Sequence, residues 1–148
     1  PLMLTAGRPT TKTLAQVRRL RGKPRWQAAE RYIQEVYGAA TQRHYRVPLG
    51  SGVTTPGGRF VDAPLDLPSG GTLAGEVKIY RQWRTVGGLP RRGEVPLSSN
   101  IRQQILKDVW LRENVPGFDP KWIFVDAAPS ATLGAFLRKH NIVSVIYR

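Results

Sequence analysis

The chain has 148 residues, 41% of them hydrophobic, which is enough for one domain with its own core. Its 23 Lys and Arg against 10 Asp and Glu give a formal charge of +13. A field of that sign draws polyanions: nucleic acid first, an anionic membrane surface second, an acidic protein third. The absence of cysteine excludes thiol catalysis, disulfides and cysteine-based zinc sites, and no apolar run approaches the roughly 20 residues of a membrane helix.

No basic-then-apolar signal peptide stands at the start, and the chain opens on Pro1 rather than Met, which reads as a fragment of a longer protein. Residues 1–23 read as a basic, irregular arm: Gly7, Pro9, Thr10, Thr11 and Thr13, then Arg18, Arg19, Arg21 and Lys23. Within it Leu14, Val17 and Leu20, three apart, give a short helix over 13–20. Residues 24–148 form a single domain. Pro24 suits the first turn of a helix whose stripe is Trp26, Ala29, Ile33 and Val36 and whose stop is Gly38. Residues 41–47 make a basic strand, ended by Pro48 and Gly50-Ser51-Gly52.

A second strand is centred on 60–62, turn chemistry fills 66–71, and 72–80 is a third strand. Residues 84–97, with Gly87-Gly88, Gly93 and Pro96, read as a mobile basic loop. Asn100 with Gln103 fits an N-cap box for a helix with stripe Ile101, Ile105 and Val109. Pro116, Gly117 and Pro120 separate it from a buried-type strand over 121–126. Ser130 caps a helix reaching His140, with Leu133, Phe136 and Leu137 inward, and 142–147 closes as a strand. The fold class is α/β (α+β): a mixed sheet flanked by helices.

Chemistry concentrates in Glu76-Val77-Lys78, with Asp62 on the strand before. Strand alternation puts Glu76 and Lys78 on one face and Val77 on the other. Hydrolysing a phosphodiester requires neutralised phosphate charge and a hydroxide near neutral pH, and a hard divalent cation on carboxylate oxygens supplies both. Asp62 and Glu76 are the candidate ligands, and the Val77 backbone carbonyl could add a third oxygen. Lys78 would orient the water or stabilise developing negative charge. Glu30, at the border of the first helix's stripe, could add a second-metal or water contact, while Glu35 reads as a surface acid. Taken alone, the triplet reads first as a cross-strand salt bridge on an exposed sheet face.

In its order of elements the chain resembles the PD-(D/E)xK restriction-endonuclease-like superfamily. More narrowly, it is similar to the restriction-endonuclease-fold toxin domains of bacterial polymorphic toxins. The resemblance covers roughly Arg25 to Arg148 and rests on Arg59-Phe60-Val61-Asp62, Gly75-Glu76-Val77-Lys78, the 98–108 segment and the 122–130 strand and cap. It implies an αβββαβ core with an extra C-terminal helix and strand. It further implies a metal held by Asp62 and Glu76, catalytic assistance from Lys78, and a cleft-lining Gln104. Val61 stands where the family's Pro would be.

The resemblance also implies Mg²⁺ or Mn²⁺ as cofactor, DNA before RNA as substrate, and delivery by a bacterium into a target-cell cytoplasm. A cognate immunity protein is implied too, acidic to match the +13 charge. Arg81, Arg84, Arg91 and Arg92, with Tyr80, are the candidate nucleic-acid contacts. His44 reads as a strand residue, His140 as a cation suited to a helix C-terminus, Asp66 as a turn cap and Asp126 as structural. The alternative is a non-catalytic basic nucleic-acid-binding module. A membrane-surface role ranks low, because the 24–37 helix carries acids on its polar face.

Overall fold

The computed structural model describes residues 11–148, so the part of the expected arm before Thr11 lies outside the described residues. The described part is packed rather than trailing. Helix α1 (Leu14–Arg19) opens on a capping box between Thr13 and Gln16 and buries Val17 completely.

Helix α2 (Gly22–Tyr37) ends at Gly38, whose φ of 67° is left-handed. Its buried stripe is Arg25, Ala29 and Ile33, four apart, and Trp26 is 45% exposed, which corrects the expected Trp26 anchor. The cause is ionic: Arg25 bonds Asp126 at 2.7 Å and the Ile79 carbonyl at 3.4 Å, so it takes the inward position.

Strands β1 (Arg43–Tyr45) and β2 (Arg59–Val61) form a small antiparallel pair. The main sheet has the order β3-β4-β7-β8, built from β3 (Ala63–Asp66), β4 (Thr72–Tyr80), β7 (Phe118–Asp126) and β8 (Val143–Tyr147). β3 runs antiparallel to β4, while β4, β7 and β8 are mutually parallel. Between β4 and β7 lie β5 (Trp83–Val86) and β6 (Leu89–Arg92), a separate ribbon, then helix α3 (Ser99–Asn114). Helix α4 (Ala131–Lys139) links β7 to β8.

Helices pack on both faces of the sheet's centre, so β7 is buried over Trp122–Val125, while β8 at the edge stays largely exposed. Val77, Ile123 and Val125 pack on Val17, Ala29 and Ile33 from α1 and α2. Trp122 and Phe124 pack on Ile101 and Ile105 of α3 and Leu133 and Leu137 of α4. The mixed sheet between helices agrees with the sequence reading.

Three expectations are corrected. The 84–97 stretch contains the β5–β6 ribbon, because Gly87 and Gly88 (φ 58° and 79°) supply the two left-handed residues a tight hairpin turn needs. Ser98, not Asn100, caps α3, accepting from the Ile101 N–H at 3.1 Å. Strand β7 begins at Phe118 and carries Pro120 opposite Ala74. Among the described residues no helix is long and apolar enough to cross a membrane.

Candidate functional site

Alternation along β4 puts Glu76 and Lys78 together, and the Lys78 Nζ lies 2.8 Å from Glu76 Oε2. The same ammonium donates to Gln104 Oε1 on α3 at 2.8 Å. Asp62 sits in the one-residue gap between β2 and β3 rather than inside a strand. There its Oδ2 accepts the Val77 N–H at 2.9 Å, ahead of the point where β3 begins pairing with β4. An extended residue's N–H and C=O point to the same side, so the Val77 carbonyl is turned toward the Asp62 side.

Glu76 is 3% exposed and is held by a network that sequence reasoning missed. Arg59 is buried and places its Nη1 2.9 Å from Glu76 Oε1. It also forks onto Asp108, at 2.7 Å from Nε and 3.2 Å from Nη2, and Asp108 accepts the Trp122 indole N–H at 2.9 Å. The signal was in the strand phase: Arg59 alternates with the exposed Phe60 and is in register with the buried Val61. A charged residue in phase with core requires a buried partner.

Asp62, Glu76 and Gln104 line one cleft of about 230 Å³, with Arg59, Gln103 and Lys107 among its walls. Lys107 fixes the approach by donating to the Gly58 carbonyl at 2.9 Å, and Gln103 accepts the Thr54 N–H at 2.8 Å. Together they hold the 52–58 loop against α3. Glu30 does not line this cleft; it faces a neighbouring groove with Trp26, and Gln42 lines both. Gln42 also approaches Asp62 Oδ1 at 3.5 Å.

The three carboxyls differ in charge state. Burial would push Glu76 up, but Arg59 and then Lys78 outweigh it and hold it below its ordinary value. Asp62 is pushed up to about 8 by burial first and then by Glu76. Glu30 is pushed up to about 7 by burial and then by Glu76, with Lys78 opposing. Asp62 and Glu30 thus share one field with Glu76 and hold protons near neutrality.

As cation ligands the residues offer a partial set. Glu76 Oε1 is buried with no hydrogen-bond partner, its contact with Arg59 being close but not aligned as one. Among the described residues no three His, Cys, Asp or Glu converge, so a cation here would draw on Asp62, Glu76, the Val77 carbonyl and water.

The other candidates separate from the cleft. Tyr80 ends β4 at 40% exposure, and Arg84, Arg91 and Arg92 lie on the fully exposed ribbon, with Arg81 at its base. Asp66 is tied to Arg43 through two bonds of 2.9 and 2.8 Å and to Thr72, which lower its carboxyl to about 2; it is neither ligand nor turn cap. His44 bonds the Gly57 carbonyl at 2.7 Å. His140 is corrected: burial, then Lys139, lowers its pKa and disfavours the expected cation. Asp126 is structural, paired with Arg25. Glu35 accepts from Thr11 and pairs with Arg31.

Compared with protein-family models, curated proteins and solved structures, the chain matches none.

Proposed function

We propose that the chain is a metal-dependent nuclease of restriction-endonuclease-like fold, hydrolysing phosphodiester bonds at the cleft lined by Asp62, Glu76 and Gln104, with Lys78 bonded to the last two. The observation that carries the reading is the convergence of Lys78 on both Glu76 and Gln104 beside the buried Asp62. A structural salt bridge needs one lysine and one acid; it does not need a second, pKa-raised carboxylate or a glutamine from another element.

A bound Mg²⁺ or Mn²⁺ would neutralise phosphate charge and lower the pKa of water. The chain's own residues divide the remaining work. Asp62, fixed by the Val77 N–H, and Glu76, fixed by Arg59, present oxygens in one orientation. Lys78 supplies a positive donor for the charge that develops on the phosphate or the attacking oxygen. Gln104 holds that ammonium in place. DNA is favoured over RNA as substrate.

By the same resemblance the domain acts as the toxin portion of a secreted bacterial protein. It would be delivered into a target-cell cytoplasm and neutralised by an acidic immunity protein. One observation favours the second reading, a non-catalytic nucleic-acid-binding module: both Glu76 oxygens lie within ion-pair distance of a cation of the chain. Incubation with plasmid DNA and with total RNA, each with Mg²⁺ or EDTA, separates the two. Metal-dependent cleavage is expected, DNA being cut faster. Cleavage that persists in EDTA overturns the mechanism, and binding without cleavage under Mg²⁺ and Mn²⁺ establishes the second reading.

A further inference from the structure

Among the described residues no other strand pairs with the β5–β6 ribbon. Its eight strand residues are all exposed, including Trp83 (57%), Val86 (48%) and Leu89 (59%). The pairing is two-residue-turn antiparallel, with Arg84 opposite Arg91 and Trp83 opposite Arg92. Two like charges directly opposite on a ribbon destabilise it. No acid of the chain relieves them: the sequence from Val77 to Gly93 contains none, and no ion pair of Arg84, Arg91 or Arg92 occurs among the described residues. A local conflict of this kind, kept without internal compensation, marks a surface shaped for something outside the chain.

The ribbon is nevertheless built to hold its shape. Its turn is fixed by Gly87 and Gly88, and its base is closed by the Gly93 N–H donating to the Gln82 carbonyl at 2.6 Å. A Cβ at Gly93 would collide with the Arg81 carbonyl, so the two legs approach as only glycine allows. Arg92 stacks over the Trp83 ring at 5.3 Å, which orders that side chain on one face. The other face carries Arg84 and Arg91 with Val86 and Leu89 toward the tip. The ribbon leaves β4 just beyond Lys78, so whatever it grips lies on the path of the strand that carries the cleft.

Nucleic acid is the first polyanion the charge points to, and of its forms the ribbon fits one. The major groove of B-form DNA, about 12 Å wide, admits a two-stranded ribbon, whereas the minor groove, about 6 Å wide, does not. The major groove of duplex RNA is deep, narrow and closed to side chains. A single strand needs a row of stacking aromatics, and this ribbon has one, Trp83.

We propose that the β5–β6 ribbon docks into the major groove of double-stranded DNA, with Arg84, Arg91 and Arg92 contacting the groove and its flanking phosphates. The substrate of the neighbouring cleft is therefore duplex DNA. This substrate assignment rests on the nuclease reading, while the docking itself does not.

The test is fluorescence anisotropy in EDTA, so that binding is read with cleavage suppressed. The probes are a short DNA duplex, one of its strands and the RNA duplex of the same sequence. The wild type is expected to prefer the DNA duplex by about tenfold or more. Arg84→Ala/Arg91→Ala/Arg92→Ala is expected to lose that preference with an unchanged melting temperature, since the side chains are exposed. Its plot of log affinity against log salt should flatten by about 0.9 per phosphate contact removed. Methyl green, a major-groove ligand, should displace the protein, and netropsin, a minor-groove ligand, should not. Equal affinity for duplex and single strand, an unaltered triple variant, or displacement by netropsin alone would each overturn the ribbon proposal. Duplex binding by a wild type that cleaves no DNA in Mg²⁺ or Mn²⁺ would instead sink the nuclease reading and leave the ribbon standing.

Discussion

At the scale of single residues the site is governed by what each carboxylate is bonded to. Glu76 is kept ionised by Arg59 and Lys78, so Arg59→Ala leaves Asp108 buried without its cation and Glu76 with Lys78 alone. The cost expected is about 3–5 kcal/mol, read as a lowered urea midpoint. Lys78→Met should spare more of the fold, because Arg59 still holds Glu76, yet reduce cleavage by roughly a hundredfold or more, the loss seen when a charge-stabilising donor is removed.

Asp62 and Glu30 behave in the opposite sense, their folded values of about 8 and about 7 lying above those of the unfolded chain. Such groups leave stability intact below the unfolded value, near pH 4, and erode it as pH rises through the folded one. Thermal melts in EDTA should therefore fall between pH 5 and pH 8.5, by on the order of a few kcal/mol for Asp62. Asp62→Asn should flatten that fall, because a neutral amide oxygen still accepts the Val77 N–H.

Asp62, Glu76 and Lys78 were legible because strand alternation alone puts the last two together. Arg59 and Asp108 were not read as a pair: they lie 49 positions apart, and only the packing of β2 on α3 joins them.

At the scale of elements, propensity and caps decide what the sequence can show. Gly38 and Ser130 stop and start their helices where periodicity predicts. Strand β4 runs over the residues read from its pattern. Asn100 was a misleading cap because three capping side chains, Ser98, Ser99 and Asn100, stand in a row and Ser98 is the one that accepts the Ile101 N–H. Ser98→Ala should accordingly cost about 1 kcal/mol, while Asn100→Ala should cost far less; chemical denaturation of the two variants distinguishes them.

The ribbon was hidden for a different reason. Its strands carry arginine and proline rather than an apolar alternation, so the only signal was the Gly87-Gly88 turn itself. Gly93→Ala should detach the ribbon from its base without unfolding the sheet, read as faster proteolysis within 82–93 at a nearly unchanged melting temperature. The start of β7 was misplaced because Pro120 argues against a ladder position, yet it occupies one opposite Ala74 of β4, one residue before β8 begins to pair on the other side.

At the scale of the whole molecule, a positive surface surrounds a small cleft into which two carboxyls, Asp62 and Glu76, are set. Most of the +13 charge lies on side chains that face solvent, while Asp62, Glu76 and Asp108 are among the buried acids. A field of that sign draws polyanions from a distance, and the cleft proposed to meet them is lined by Asp62 and Glu76. The mixed sheet and its flanking helices followed from the order of helix and strand patterns. The cleft did not, because it is assembled by the 52–58 loop, β4 and α3, which meet only in three dimensions.

The central claim is that this cleft holds a divalent cation on Asp62 and Glu76. Calorimetric titration of Mn²⁺ at pH 8 into the wild type and into Asp62→Asn tests it most directly. The variant is suited to the comparison because it is expected to fold at least as well as the wild type. Saturable binding with proton release by the wild type, lost or strongly weakened in Asp62→Asn, is the predicted result. No binding by the wild type, or the same isotherm in both proteins, would contradict it.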